Sequence, residues 1–339
     1  MIASEAIQER AQAPSSKESL TTERMTYLET LVTQARTASA VFTQFTQEEV
    51  DQIVKPMVLA GLEQAQRLAQ LAVEETRIGV MEDKVIKNMV ATEFAYNYVK
   101  DKRTVGIIRE FPERNLAEVA EPIGVIFSIL PITNPTSTVL FKCIVAIKTR
   151  NAVIFSPHPK AWRCCSEAVR IMLEAALKHG APKGIFSCLE SHTLQDNDYL
   201  MHHKEVALID ATGGPGAVKA AYSSGKPALG VGPGNTPVYL EKTADLNTAV
   251  VDIIISKTFD NGTICASEQT VVVDDEIYDP TIKKFEDLGA HICNEKETEI
   301  LSRTVIEPRP DSCSRWPSAR EPQTSPGSSV SPSSRTRNC

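Results

Sequence analysis

The chain has 339 residues, of which 42% are hydrophobic and 23% charged, with a formal net charge of −7. That length supplies one large domain or two of ordinary size, and the composition excludes wholesale disorder and a collagenous repeat. An acidic balance argues against nucleic acid as a partner, and no apolar run reaches the roughly 18 residues that a membrane span needs.

Residues 1–24 are polar and hold several Glu, so they make a poor mitochondrial transit peptide and are expected to form a disordered leader. The eight cysteines include no CxxC pair, so neither a zinc site nor a disulfide framework is indicated and no metal is expected. Buried thiols in a reducing, cytoplasmic setting are the plain reading, with an organellar address left open.

Thr46-Gln-Glu-Glu49 forms a capping box opening an amphipathic helix whose apolar stripe runs through Val50, Ile53, Val54, Met57, Leu62, Leu68 and Leu71. Pro56 lies inside that pattern and predicts a kink or an early break. A second helix is predicted from about Met81 to Lys100.

Beyond it come short β-branched runs: GVIFSIL (124–130), NAVIFS (151–156), KGIFSCL (183–189), EVALIDA (205–211) and TPVYLE (236–241). Helical stretches at about 136–148, 160–179, 193–202 and 215–223 separate them. This alternation predicts βαβ units and a parallel sheet, in which ligands bind at the carboxyl ends of the strands.

The loops after the strands are therefore the candidates. In Pro131-Ile-Thr-Asn-Pro-Thr-Ser137, Asn134 offers an amide held between two prolines, which is what stabilising an oxyanion requires. By spacing alone, a turn-initiating role for Asn134 is the stronger reading. Thr212-Gly-Gly-Pro-Gly216 leads into a helix and suits a phosphate, although a plain tight turn is the default. Gly230-Val-Gly-Pro-Gly-Asn235 makes a second glycine loop. Cys265 lies in a loop between a helical stretch (about 246–257) and the strand QTVVVDD, where substrate can reach a thiolate. His202-His203 and Cys164-Cys165 read as solvated and packing pairs.

Together PITNPTS, NAVIFSPHP, ATGGPGAVKAAYSSGKPALGVGPGNTP and KTFDNGTICASEQ resemble the CoA-acylating acetaldehyde dehydrogenase module of the bifunctional aldehyde–alcohol dehydrogenases, over roughly residues 25–307. The resemblance implies an α/β fold. N-terminal helices and a Rossmann-type parallel-sheet NAD domain would occupy 25–240, and an incomplete α/β catalytic domain 241–307. It also implies that Cys265 is the nucleophile and Asn134 the oxyanion amide. Ile129, Leu130, Pro131, Ile132, Thr133 and Asn134 would lie along the nicotinamide end of NAD, with Gly214 and Gly232 as further cofactor contacts and His158 beside the adenine ribose.

The family reaction oxidises acetaldehyde with NAD and CoA to acetyl-CoA and NADH, and runs in reverse in fermentation. Hydrolytic relatives carry a water-activating Glu in the segment aligned with Gly230–Asn235, where this chain has no carboxylate. A thioester on Cys265 would then survive until the CoA thiol attacks. The implied partners are a small aldehyde and CoA, and the family tends to homo-oligomerise.

The family's aldehyde domain continues beyond the point reached at Ile306, so a C-terminal truncation is expected here. Residues 308–339 hold nine Ser, six Pro and five Arg but no Lys. An out-of-frame or intron-derived end is the first explanation, and a selected disordered tail the second. Two classes of function follow: an acylating dehydrogenase, or an inactive fragment that only binds nucleotide or assembles.

Overall fold

A layer of helices precedes the sheet in the computed structural model, which describes residues 20–190 and 193–305. The leader before residue 20 and the tail at 308–339, with Cys313 and Cys339, lie outside the described residues. Helix α1 (Thr22–Phe42) starts inside the segment expected to be disordered to residue 24, because the Thr21 side chain caps it by accepting from Arg24 N. Arg24 in turn reaches across to the Asp196 carboxylate at 3.0 Å. Leu28, Val32, Ala35, Ser39 and Phe42 form the buried stripe of α1.

The expected capping box, Thr46 with Glu49, opens α2 (Gln47–Glu63). That helix continues through Pro56 to Glu63, so the proline does not end it. After α3 (Ala65–Thr76), the stretch expected as one helix divides into α4 (Met81–Met89), a π-turn at Val90–Phe94, and α5 (Ala95–Val99). The sense of α4 is inverted. It buries Lys84, Lys87 and Asn88, while Ile86, Met89, Val90, Phe94 and Tyr98 of the same helical run face outward. An antiparallel hairpin, β1 (Gly106–Phe111) and β2 (Leu116–Ala120), then leads into the sheet.

The main sheet comprises β3 (Val125–Ile129), β4 (Ala152–Ser156), β5 (Phe186–Cys188), β6 (Val206–Thr212) and β7 (Ala228–Val231). All are parallel, in the order β5-β4-β3-β6-β7. Helices α6 (Pro135–Lys148), α7 (Trp162–Lys178), α8 (Leu194–His202) and α9 (Pro215–Ser223) make the crossovers. Every residue of β4 is buried, as its unbroken apolar run requires of a strand covered on both faces. Phe127, Ile154, Phe155, Leu140, Ile144 and Ile147 fill the core between sheet and helices, each contributing about 1.5–3 kcal/mol by burial.

From β3 the chain builds outward through β4 and β5, then returns to place β6 on the other side of β3. The carboxyl ends of β3 and β6 therefore flank the point where the winding reverses, the usual place for a ligand in an open α/β sheet. β8 (Thr236–Leu240) leaves this sheet and pairs in parallel with β9 (Glu268–Val273), with α10 (Leu246–Thr258) between them. The second sheet thus begins ahead of residue 241, where the second domain is expected from the sequence. Helices α11 (Tyr278–Asp287) and α12 (Glu295–Val305) follow. Among the described residues no helix is long and apolar enough to cross a membrane.

Candidate active site

Past the end of β3, Leu130 N donates to Ser156 O at 2.9 Å, which ties the loop to β4. Leu130 and Pro131 are buried, Ile132 and Thr133 half-buried, and Asn134 stands at the N-cap of α6. Asn is a favoured capping residue, yet this side chain makes no cap bond. Instead its Oδ1 accepts from Lys87 Nζ at 2.6 Å, and its Nδ2 lies 3.1 Å from Thr133 Oγ1 and 3.5 Å from Thr263 O. The turn-initiating role is thus left to the backbone, with Asn134 O accepting from Thr138 N and Oγ1.

Past the end of α10 and Phe259 come three successive left-handed residues: Asp260 (φ 49°), Asn261 (φ 55°) and Gly262 (φ 70°). Asp, Asn and Gly tolerate this region best, which is why the chain turns sharply here. The turn is pinned by the Asp260 carboxylate, which is buried and accepts from Val80 N (2.7 Å), Lys84 Nζ (2.9 Å), Thr263 Oγ1 (2.7 Å) and Lys87 Nζ. Its own N–H donates to Asp83 Oδ2 at 2.7 Å. Burial alone would raise the Asp260 carboxyl, but Lys84, Lys87 and the bonds from Lys87 and Thr263 hold it below the usual carboxylate range. Burial pulls the Lys87 ammonium down to about 8, against the opposing pull of Asp260 and with a further push from Lys84.

This anchored turn presents Cys265, which is exposed. The remaining cysteines of the α/β core differ. Cys143, Cys164 and Cys165 are fully buried, and burial pushes the thiols of Cys143 and Cys165 well up and that of Cys188 to about 11. A thiol held protonated is a poor nucleophile. Gly234 of the second glycine loop comes so near that a Cβ there would lie 2.3 Å from Cys265 O. The structure therefore brings together Asn134, the Cys265 loop and the Gly230–Asn235 segment.

At the reversal point, Lys142 of α6 is buried and bridges the two strands. Its Nζ donates to Ser128 Oγ (2.9 Å), Ile129 O (3.3 Å) and Asp210 O (3.3 Å), and pairs with Asp210 Oδ2 at 3.1 Å. Burial lowers its pKa, with Asp210 opposing. Gly214 is the N-cap of α9, with free space around the position a Cβ would take. Gly232, in the loop between β7 and β8, has only Val218 near that position, at 3.8 Å. This open helix start beside the carboxyl ends of β3 and β6 fits the phosphates of a dinucleotide.

The histidines have local partners. His158 Nδ1 accepts from Lys160 N at 3.1 Å, and burial, then Lys160, lowers its pKa. His202 Nδ1 lies 2.8 Å from Asp198 O, whereas His203 Nε2 lies 3.0 Å from Glu29 Oε1, so the adjacent rings diverge. The ligating atoms of His291, Cys293 and Glu297 lie within 4.8 Å of one another. There Glu297 accepts from Asn294 N (2.9 Å) at the start of α12 and pairs with His291 (3.0 Å).

Sequence reasoning reached Cys265, Asn134 and the glycine loops, and missed Lys84, Lys87, Asp260 and Lys142. One signal for the first two lies in EDKVIKN: Lys84, Lys87 and Asn88 share one face of a helix at i, i+3 and i+4.

Comparison with known proteins identifies the family. The profile of the aldehyde dehydrogenase family matches residues 13–297. The bifunctional aldehyde-alcohol dehydrogenase AdhE of Escherichia coli is 47% identical over 280 residues, covering 83% of this chain and 31% of that protein. The chain thus spans under a third of the length of this relative. An acetylating aldehyde dehydrogenase from Geobacillus thermoglucosidasius is 49% identical and superposes with a TM-score of 0.78, covering 84% of this chain and 62% of that one. The propionaldehyde dehydrogenase of Rhodopseudomonas palustris, solved with bound CoA and an acylated cysteine, is 30% identical with a TM-score of 0.72, covering 83% of this chain and 64% of that one. On sequence and fold together, this chain belongs to the aldehyde dehydrogenase family.

Proposed function

We propose that this chain carries the acyl-transfer chemistry of an acylating acetaldehyde dehydrogenase, converting acetaldehyde, CoA and NAD reversibly to acetyl-CoA and NADH. The observation that carries this reading is that the Asn134 amide, past the carboxyl end of β3, lies 3.5 Å from Thr263 O in the loop that presents the exposed Cys265. The Cys265 thiolate adds to the aldehyde carbon, and the carbonyl oxygen takes up the negative charge. In this reading Asn134 Nδ2 donates to that oxyanion, a contribution worth about 3 kcal/mol when such a donor is well aimed.

Bound along Ile129, Leu130, Pro131, Ile132, Thr133 and Asn134 with its phosphates toward Gly214 and Gly232, NAD would accept the hydride. Loss of that hydride leaves a thioester on Cys265. The segment Gly230–Asn235 holds no carboxylate to activate water, so the thiol of CoA is the favoured acceptor. Its attack releases acetyl-CoA and restores the Cys265 thiolate. The relative with bound CoA and an acylated cysteine supports an acyl-cysteine and a CoA site. An inactive nucleotide-binding fragment is the weaker reading, because the loop carrying Cys265 packs against the Asn134 amide within the described residues.

All six cysteines among the described residues are free, which suits the reducing cytoplasm. The test is NADH formation from acetaldehyde by the full 339-residue chain. The signal should require CoA and vanish in Cys265→Ala; a CoA-independent signal, or one that survives the substitution, would refute the reading.

A further inference from the structure

We propose that Lys87 is a positioning residue for the chemistry at Cys265, fixing which end of the Asn134 amide faces the reacting carbonyl. This inference rests on the acyl-transfer reading of Cys265 and Asn134. An amide has one accepting and one donating end, and turning it over exchanges them. A lysine ammonium has donors only. With Lys87 Nζ 2.6 Å from one end of the Asn134 side chain, that end must be the oxygen. The NH2 group is thereby turned to the opposite side, toward the loop that presents Cys265, where Thr263 O lies 3.5 Å away. That contact is long enough to leave a hydrogen available for a stronger acceptor.

Lys87 is itself immobilised. Its side chain is only 7% exposed, and its Nζ donates to Asp260 Oδ2 and to Thr263 Oγ1 (3.2 Å) as well as to Asn134. Lys84 braces the same carboxylate and also holds Thr133 O at 2.9 Å, next to Asn134 in the chain. One buried charge cluster therefore joins α4, the start of α6 and the turn before Cys265. Without the ammonium, the amide is free to turn over or to take the helix-capping conformation that Asn favours at this position. The positive charge beside Oδ1 also polarises the amide and strengthens its N–H donors.

Two reagents at one thiol separate positioning from mere integrity. p-Nitrophenyl acetate acylates Cys265 by addition to the ester carbonyl, passage through an oxyanion, and expulsion of p-nitrophenolate, with no need of NAD or CoA. Iodoacetamide alkylates the same sulfur by displacing iodide, with no oxyanion. Both products are mapped to Cys265 by peptide mass, with Cys265→Ala as the blank. In Lys87→Met, acylation should fall by about 10- to 100-fold while alkylation stays within about twofold, and Lys87→Arg should recover most of the loss. Should Lys87→Met not fold, Lys87→Gln, which is polar, one atom shorter and uncharged, gives the same comparison.

An equal fall in both rates, no change in either, or a parent chain that is alkylated but not acylated would overturn the proposal. A chain that makes no NADH from aldehyde and CoA, yet shows the selective loss on acylation, would refute the dehydrogenase reading and leave the role of Lys87 standing. An active chain whose Lys87→Met variant keeps the parent ratio would do the reverse.

Discussion

A Cβ on Gly79 would lie 2.0 Å from Oδ1 of Asp260, and the backbone at Gly79 has a φ of +81°. Two constraints fall on this one position. The left-handed backbone disfavours any side chain, and the buried carboxylate leaves no room for one. Gly79→Ala should therefore destabilise the fold by about 2 kcal/mol or more, read as a lowered urea midpoint. It should also slow acylation at Cys265, since Asp260 holds the turn that presents it. An unchanged midpoint would mean that Asp260 is not seated as described.

A second pair, buried Lys142 with half-buried Asp210, sits where the winding of the sheet reverses; their side chains are 9% and 23% exposed. Lys142→Met strands the Asp210 carboxylate and should cost about 3 kcal/mol. Adding Asp210→Asn should return part of that loss. Strictly additive effects in the double variant would contradict the coupling.

The pH dependence of Cys265 chemistry offers a third check. Both acylation and alkylation need the thiolate, so their ratio cancels its ionisation. The Lys87 ammonium has a pKa of about 8 and is faced by Asp260, Lys84 and Asp83. The ratio should be highest below pH 8 and fall as pH rises through it; Lys87→Arg should flatten the curve, because guanidinium keeps its charge. Stability responds with the opposite sign. The folded pKa lies below the ordinary 10.5, so the unfolded chain binds more protons between about 8 and 10.5. The cost of burying Lys87 is then relieved as pH rises through that window. A ratio independent of pH in the parent chain would exclude Lys87 from the site.

The sheet was legible because its central strands are largely apolar and mostly covered. GVIFSIL, NAVIFS and EVALIDA read as strands from their unbroken apolar character, and β3, β4 and β6 appear there with ends shifted by a residue or so. Cys265 was legible as a cysteine in the loop between a helical stretch and a strand. Helix α1 was not, because alanines and Ser39 occupy much of its buried stripe and leave only a faint apolar period.

Helix α4 misleads for a stronger reason. Its apolar period runs through Ile86, Val90, Phe94 and Tyr98, all of which face outward, while the buried face carries Lys84, Lys87 and Asn88. Burying two ammonium groups is favourable only because Asp260, distant in sequence, arrives to receive them. No local pattern reveals that partnership. The role of Asn134 was ambiguous for the same reason: its N-cap position suits a turn, and only the contact with Lys87 diverts the side chain from it.

The most direct measurement of the central claim is to capture the acyl group on the enzyme. The full chain is incubated with acetyl-CoA alone, and its cysteine-containing peptides are weighed. One acetyl group is expected, carried by Cys265 and discharged to acetaldehyde when NADH is added. Acetylation of another cysteine in place of Cys265, or an acetyl-Cys265 that NADH leaves untouched, would contradict it.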